Sequence, residues 1–192
     1  MNKPVGRIKP TDRNIKTPVI LTDSKGIALQ NLTKSTNPVE KKIKWWCKRG
    51  ATVQDRYDWL KKNLETEIAL IGNIHLYVWL GTCNLTTKNK SKKENYITLT
   101  KEDNSAVDKT IKYLKKITEL IKSYPNSTVT ILEIPQYSIL AYNKKAGYVG
   151  NKEKFNRQEK QLHTQVYKLN GQIRQLNEKL QNVPRIHFRF KY

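Results

Sequence analysis

NIHLYVWL, residues 73–80, runs directly into Gly81-Thr82-Cys83-Asn84. A short, nearly unbroken apolar run rich in β-branched and aromatic residues, closed by glycine, is the pattern of a strand buried on both faces. Upstream, Pro18-Val19-Ile20-Leu21-Thr22 has the same character and ends in Asp23-Ser24-Lys25-Gly26. Ile43-Lys44-Trp45-Trp46-Cys47 is a second strand candidate, closed by Lys48-Arg49-Gly50. Downstream, Val129 to Ile134 precedes Pro135, and Ile186 to Phe190 comes close to the end of the sequence at Tyr192.

Helical periodicity fills the intervals. A short stretch, Ile27 to Leu32, follows the first strand. After the second, Thr52 caps a helix whose Val53, Tyr57, Leu60 and Leu64 recur at helical spacing. Val107, Ile111, Leu114, Ile117 and Ile121 mark a long helix over about Ala106 to Ser123, stopped by Pro125-Asn126. Leu162, Val166, Leu169, Ile173, Leu176 and Leu180 alternate steps of four and three. That spacing suits a coiled-coil seam or a helix docked on a sheet, and the strand that follows favours docking. Lys88–Lys93 and residues 141–160 read as basic loops. Strands alternating with helices imply parallel pairing through helical crossovers. The expected fold is therefore α/β, a flavodoxin-like three-layer α/β/α domain with five parallel strands in the order 2-1-3-4-5. It spans residues 18–192, behind a flexible basic arm at residues 1–17.

Lys and Arg number 37 against 16 Asp and Glu, a formal net charge of +21. Such an excess favours a polyanionic partner, and it also arises when an AT-biased genome writes lysine wherever the surface tolerates it. Two cysteines, Cys47 and Cys83, exclude a disulfide scaffold and offer no metal-ligand spacing. No cofactor motif occurs: Gly26 alone is no dinucleotide fingerprint. No signal peptide or membrane-spanning run is present, so an intracellular location is expected.

In parallel α/β sheets, ligands sit at the carboxyl ends of the strands. Three segments there resemble the SGNH (GDSL-type) hydrolases. Leu21-Thr22-Asp23-Ser24 is similar to the family's nucleophile segment, with Thr22 where glycine is usual. Arg49-Gly50-Ala51-Thr52 is similar to the segment that lends an oxyanion-hole N–H. Gly81-Thr82-Cys83-Asn84 is similar to the Gly-x-Asn-Asp segment, with Cys83 in the asparagine place and Asn84 in the aspartate place. The sequence is also similar to esterase-like domains of some animal retrotransposon and uncharacterised invertebrate open reading frames. The resemblance implies Ser24 as nucleophile and Gly50, Asn84 and Cys83 at the oxyanion hole, supported by Asp23 and Gly81, acting on an acyl ester. The chemistry requires such a set: a serine hydroxyl is a poor nucleophile until a base takes its proton, and a tetrahedral oxyanion needs fixed donors. A thiol is a weak donor, so the Asn84 amide serves better if the third segment is shifted by one place. Ser24 also reads as a plain helix N-cap, and Gly50 as an ordinary turn glycine.

The family's Asp-x-x-His segment is absent. None of His75, His163 and His187 has an aspartate three residues before it. The domain has lost its base, or the sequence stops short of it. Its cations supply a reading from another class. Lys48, Arg49, Lys88, Lys90, Lys92, Lys93, Lys144 and Lys145 fall in segments that the topology sends to the Ser24 rim, with Tyr137, Tyr142 and Tyr148 interleaved. This suits RNA or DNA binding, with bases stacking on tyrosine. Lysines that merely keep the protein soluble are the alternative.

Overall fold

The computed structural model describes residues 15–33, 42–90, 95–151 and 153–180. β1 (Thr17–Thr22), β2 (Lys44–Cys47), β3 (Ile74–Trp79) and β6 (Thr128–Ile131) form a parallel sheet in the order β2-β1-β3-β6. This is the expected order of the first four strands. The expected fifth strand, Ile186 to Phe190, lies outside the described residues, as does most of the expected arm.

Register sorts the side chains into two faces. Leu21 lies opposite Trp46 and Val78, Val19 opposite Leu76, and Val129 and Ile131 continue the same rows. The aliphatic members of this face are almost entirely buried. It is covered by α2 (Val53–Ile71), α4 (Ser105–Lys122) and α6 (Lys154–Lys179). Trp59 of α2 meets Trp46 edge-on at 5.2 Å, and Tyr57 meets Tyr113 of α4 at 5.8 Å. The four-and-three spacing on α6 belongs to a docked helix: Leu162, Val166, Leu169 and Ile173 are fully buried in the core. The ends of α2 follow from local chemistry. Thr52 Oγ1 accepts from Asp55 N–H, Thr52 N–H donates to Asp55 Oδ2 at 2.8 Å, and Gly72 ends the helix at φ +79°.

The opposite face holds Ile20, Trp45, His75, Tyr77 and Trp79, all half-buried. Among the described residues its helical layer is α1 (Ser24–Thr33). That helix comes so close that a Cβ on Gly26 would collide with Thr22 Cγ2 and lie 3.1 Å from Cys47 Sγ. The absence of a side chain at Gly26 is what permits the approach.

The segment read as a lysine-rich loop contains a strand. β4 (Thr86–Lys90) pairs antiparallel with β5 (Asn95–Leu99). β4 is TTKNK and mostly exposed, so no apolar alternation announced it. The expected loop 141–160 contains the end of α5 (Ile139–Lys145), capped by Ser138 Oγ accepting from Ala141 N–H at 2.9 Å, and the start of α6. α3 (Thr82–Leu85) is the remaining helix.

Amide side chains close the open strand edges. Leu132 N–H donates to Val78 O, so the polar groups of Ile131 point away from β3. Asn177 takes both, accepting from Ile131 N–H at 2.9 Å and donating to Ile131 O at 2.7 Å. Asn170 does the same for Ile134, and Asn143 for Ile97 of β5. Each replaces one missing rung of a ladder, which satisfies the backbone and blocks strand addition there.

Candidate active-site rim

Thr22, Cys47 and Trp79 are register partners at the carboxyl ends of β1, β2 and β3. The three segments singled out from sequence therefore leave adjacent strands on one rim. Ser24 opens α1 and is exposed. Its hydroxyl has no hydrogen-bond partner among the described residues.

Asp23, fully buried, is the hub. Its Oδ1 accepts from Lys25 N–H at 2.9 Å. Its Oδ2 accepts from Lys25 Nζ at 2.5 Å, from Thr82 Oγ1 at 2.8 Å and, more weakly, from Cys83 Sγ at 3.7 Å. Lys25 Nζ also lies 2.8 Å from Thr82 Oγ1 and 5.5 Å from the centre of the Trp79 ring. The ammonium is thus wedged between the ends of β1 and β3. Sequence reasoning missed Lys25 and Thr82. Lys25 does follow Asp23-Ser24 directly, but among 37 cations no pattern distinguishes it.

At the third segment, Cys83 faces Asp23 alongside Thr82. Burial first, and the Asp23 charge second, push its thiol up to about 11, so it is a neutral and weak donor at physiological pH. Asn84 is buried, and its Oδ1 accepts from Val53 N–H at 3.0 Å. Its carbonyl is thereby committed to the first turn of α2. Gly81 precedes α3 at φ +136°, and a Cβ there would press on Ile134 Cγ2 at 3.1 Å and Leu169 Cδ2 at 3.3 Å. Gly50 is exposed in the turn before α2 at φ +68°. Cys47 and Cys83 are both free thiols, and burial raises Cys47 as well.

The histidines lie elsewhere. His75 is in the amino half of β3, with ring nitrogens 3.0 Å from Thr128 Oγ1 and Thr130 Oγ1. His163 is exposed on α6 and pairs with Glu159 at 3.6 Å. His187 lies outside the described residues. No histidine contacts Ser24 among the described residues, and no three His, Cys, Asp or Glu side chains there come together as a metal site.

Of the cations, Lys48 and Arg49 are exposed beside Gly50, Lys88 and Lys90 on β4, and Lys144 and Lys145 at the end of α5. Lys92 and Lys93 lie outside the described residues. Tyr142 is exposed. Tyr148 is buried against Tyr96 and Phe155 at 4.9 and 5.3 Å, and Tyr137 donates to Thr82 O at 3.0 Å. Tyr142 is therefore the one of these three rings open to solvent. No helix among the described residues is long and apolar enough to cross a membrane.

Neither a protein-family model nor a curated protein matches the sequence. Among solved structures, a GDSL-like lipase from Bacteroides thetaiotaomicron superposes with a TM-score of 0.55 at 11% identity, over 90% of this chain and 68% of that one. A lipase/acylhydrolase from Enterococcus faecalis superposes with a TM-score of 0.46 at 12% identity, over 85% of this chain and 73% of that one. At such identities the first likeness is one of fold, and it agrees with the strand order and the rim described above: the chain has an SGNH (GDSL-type) hydrolase-like fold.

Proposed function

We propose that this chain is an SGNH-type esterase domain that is catalytically incomplete as it stands, and that its rim holds a polyanion, nucleic acid in particular. The single observation that carries the reading is the bonding of Asp23-Ser24-Lys25. Asp23 is taken up by Lys25, Thr82 and Cys83, while the Ser24 hydroxyl meets no base among the described residues. A serine without its base retains at most the contribution of oxyanion donors, orders of magnitude below a full triad. A thiol in the asparagine place weakens that contribution further.

What supports the polyanion reading is exposure. Lys48, Arg49, Lys88, Lys90, Lys144 and Lys145 are all exposed, after β2, on β4 and at the end of α5. The test is fluorescence anisotropy with a labelled single strand across a salt series. Four contacts give a slope of log K against log salt of about −3, at roughly −0.7 per phosphate. Glutamate at Lys88, Lys90, Lys144 and Lys145 weakens binding far more than glutamate at Lys109, Lys112, Lys115 and Lys122 of α4. Equal losses from both sets, or no binding at about 50 mM salt, overturn the reading.

A further inference from the structure

The sheet face opposite the core carries a surface that the rim does not account for. Ile20 is the register partner of both Trp45 and Tyr77, so Trp45, Ile20 and Tyr77 form one row across β2, β1 and β3. His75 lies on Tyr77 with ring centres 4.4 Å apart and planes inclined by 26°. These rings are half-buried and do not pack against the core cluster, unlike Trp46, Trp59, Tyr57 and Tyr113 on the other side. Among the described residues, α1 lies over this face near Thr22 and Cys47, at the carboxyl ends of β1 and β2, and leaves its own Leu32 76% exposed.

Charge indicates what complements this face. The described segments that build it (15–33, 42–52, 73–82 and 127–132) contain Lys16, Lys25, Lys42, Lys48 and Arg49 against a single acid, Asp23, while Lys44 shares the other side of the sheet with Val19. Asp23 is buried and bonded to Lys25. A second copy of a chain with a net charge of +21 is repelled from such a face. The complementary ligand is an anion with flat apolar faces of its own, because aromatic rings stack on bases without regard to sequence.

We infer that a single-stranded nucleic acid lies across this sheet face, with bases stacked on Trp45 and Tyr77. The inference shares its class of ligand with the rim reading but rests on a different surface, and on ring stacking rather than phosphate contact. Duplex is disfavoured because its bases are already stacked on one another.

The test uses the whole chain and an oligouridine strand carrying 5-bromouracil, irradiated, digested and mapped by mass spectrometry. Cross-links are expected in peptides that contain Trp45 and Tyr77. Trp45→Leu and Tyr77→Leu each lower affinity about five- to a hundredfold, as loss of one stacked base does. An abasic strand of equal length binds more weakly by a similar factor. Cross-linking on the unaltered chain keeps the test valid if either variant folds poorly. Cross-links confined to the Lys88–Lys90 and Lys144–Lys145 peptides overturn the inference and leave the rim reading standing. Equal affinity for the abasic strand does the same. A parent chain that self-associates, and becomes monomeric on Trp45→Leu, shows the face to be covered by protein and overturns it as well. Absence of all binding removes both readings.

Discussion

Thr82 Oγ1 donates to Asp23 Oδ2 at 2.8 Å across 59 positions of sequence. This bond joins the end of β1 to the start of α3. With Lys25 Nζ on the same oxygen, it gives a buried side chain two direct partners from either end of the rim.

Asp23→Asn therefore destabilises the chain. The substitution leaves a half-buried ammonium without its partner, at a cost of about 1.5–3 kcal/mol. The urea midpoint falls with the m-value unchanged, and the melting temperature drops by roughly 2–4 °C per kcal/mol in a chain of this size. A shift within error of zero means that the pair contributes nothing to folding.

Ser24→Ala leaves ester hydrolysis unchanged. With p-nitrophenyl acetate, parent and variant hydrolyse at the same low rate, because no base reaches Ser24 among the described residues. Parent turnover that the variant abolishes reveals a base supplied by another segment or chain.

Asn170→Ala destabilises the chain. Asn170 bonds both the N–H and the O of Ile134, each at 2.9 Å, in a buried setting. Two orphaned backbone groups cost about 2–4 kcal/mol. Asn170→Asp keeps the acceptor and loses the donor, so its stability falls between the two. Denaturant titration of the three proteins gives the order directly.

The thiols react slowly in the native state. With Cys83 pushed up to about 11 by burial, its thiolate fraction at pH 8 is roughly one in a thousand. Its alkylation by iodoacetamide rises about tenfold per pH unit up to that value, provided the fold persists. Under denaturing, non-reducing conditions two thiols titrate, as both cysteines are free. A fast native thiol assigned to Cys83 by mass spectrometry contradicts the burial.

His75 gives the stability a pH dependence. Burial, and secondarily the Lys16 charge, hold its imidazole below the usual value. The unfolded chain takes up a proton near ~6.5 that the folded chain resists. Full stability is thus present above that pH and is lost as pH falls toward the folded value. Between pH 7.5 and 5 the parent's urea midpoint drops further than that of His75→Gln. Parallel curves mean that the ring titrates alike in both states.

The parallel pairing and the order of the first four strands of the main sheet were legible in the sequence. They rest on local periodicity: apolar runs for strands buried on both faces, and a spacing of three and four for helices such as α4. The common rim of Ser24, Gly50 and Cys83 follows from that topology alone. The β4–β5 hairpin was not legible, because TTKNK has no apolar period and its strand character comes from pairing with Asn95–Leu99. The role of Lys25 depended on a buried carboxylate and a threonine brought together from distant parts of the chain. The commitment of Asn84 to Val53 N–H likewise needed α2 and α3 placed side by side. Which face of the sheet carries the core was equally undecided by Trp45-Trp46, since neighbouring residues in a strand point to opposite sides. Only the packing of Trp59 on Trp46 settled that one ring belongs to the interior and leaves Trp45 on the other side.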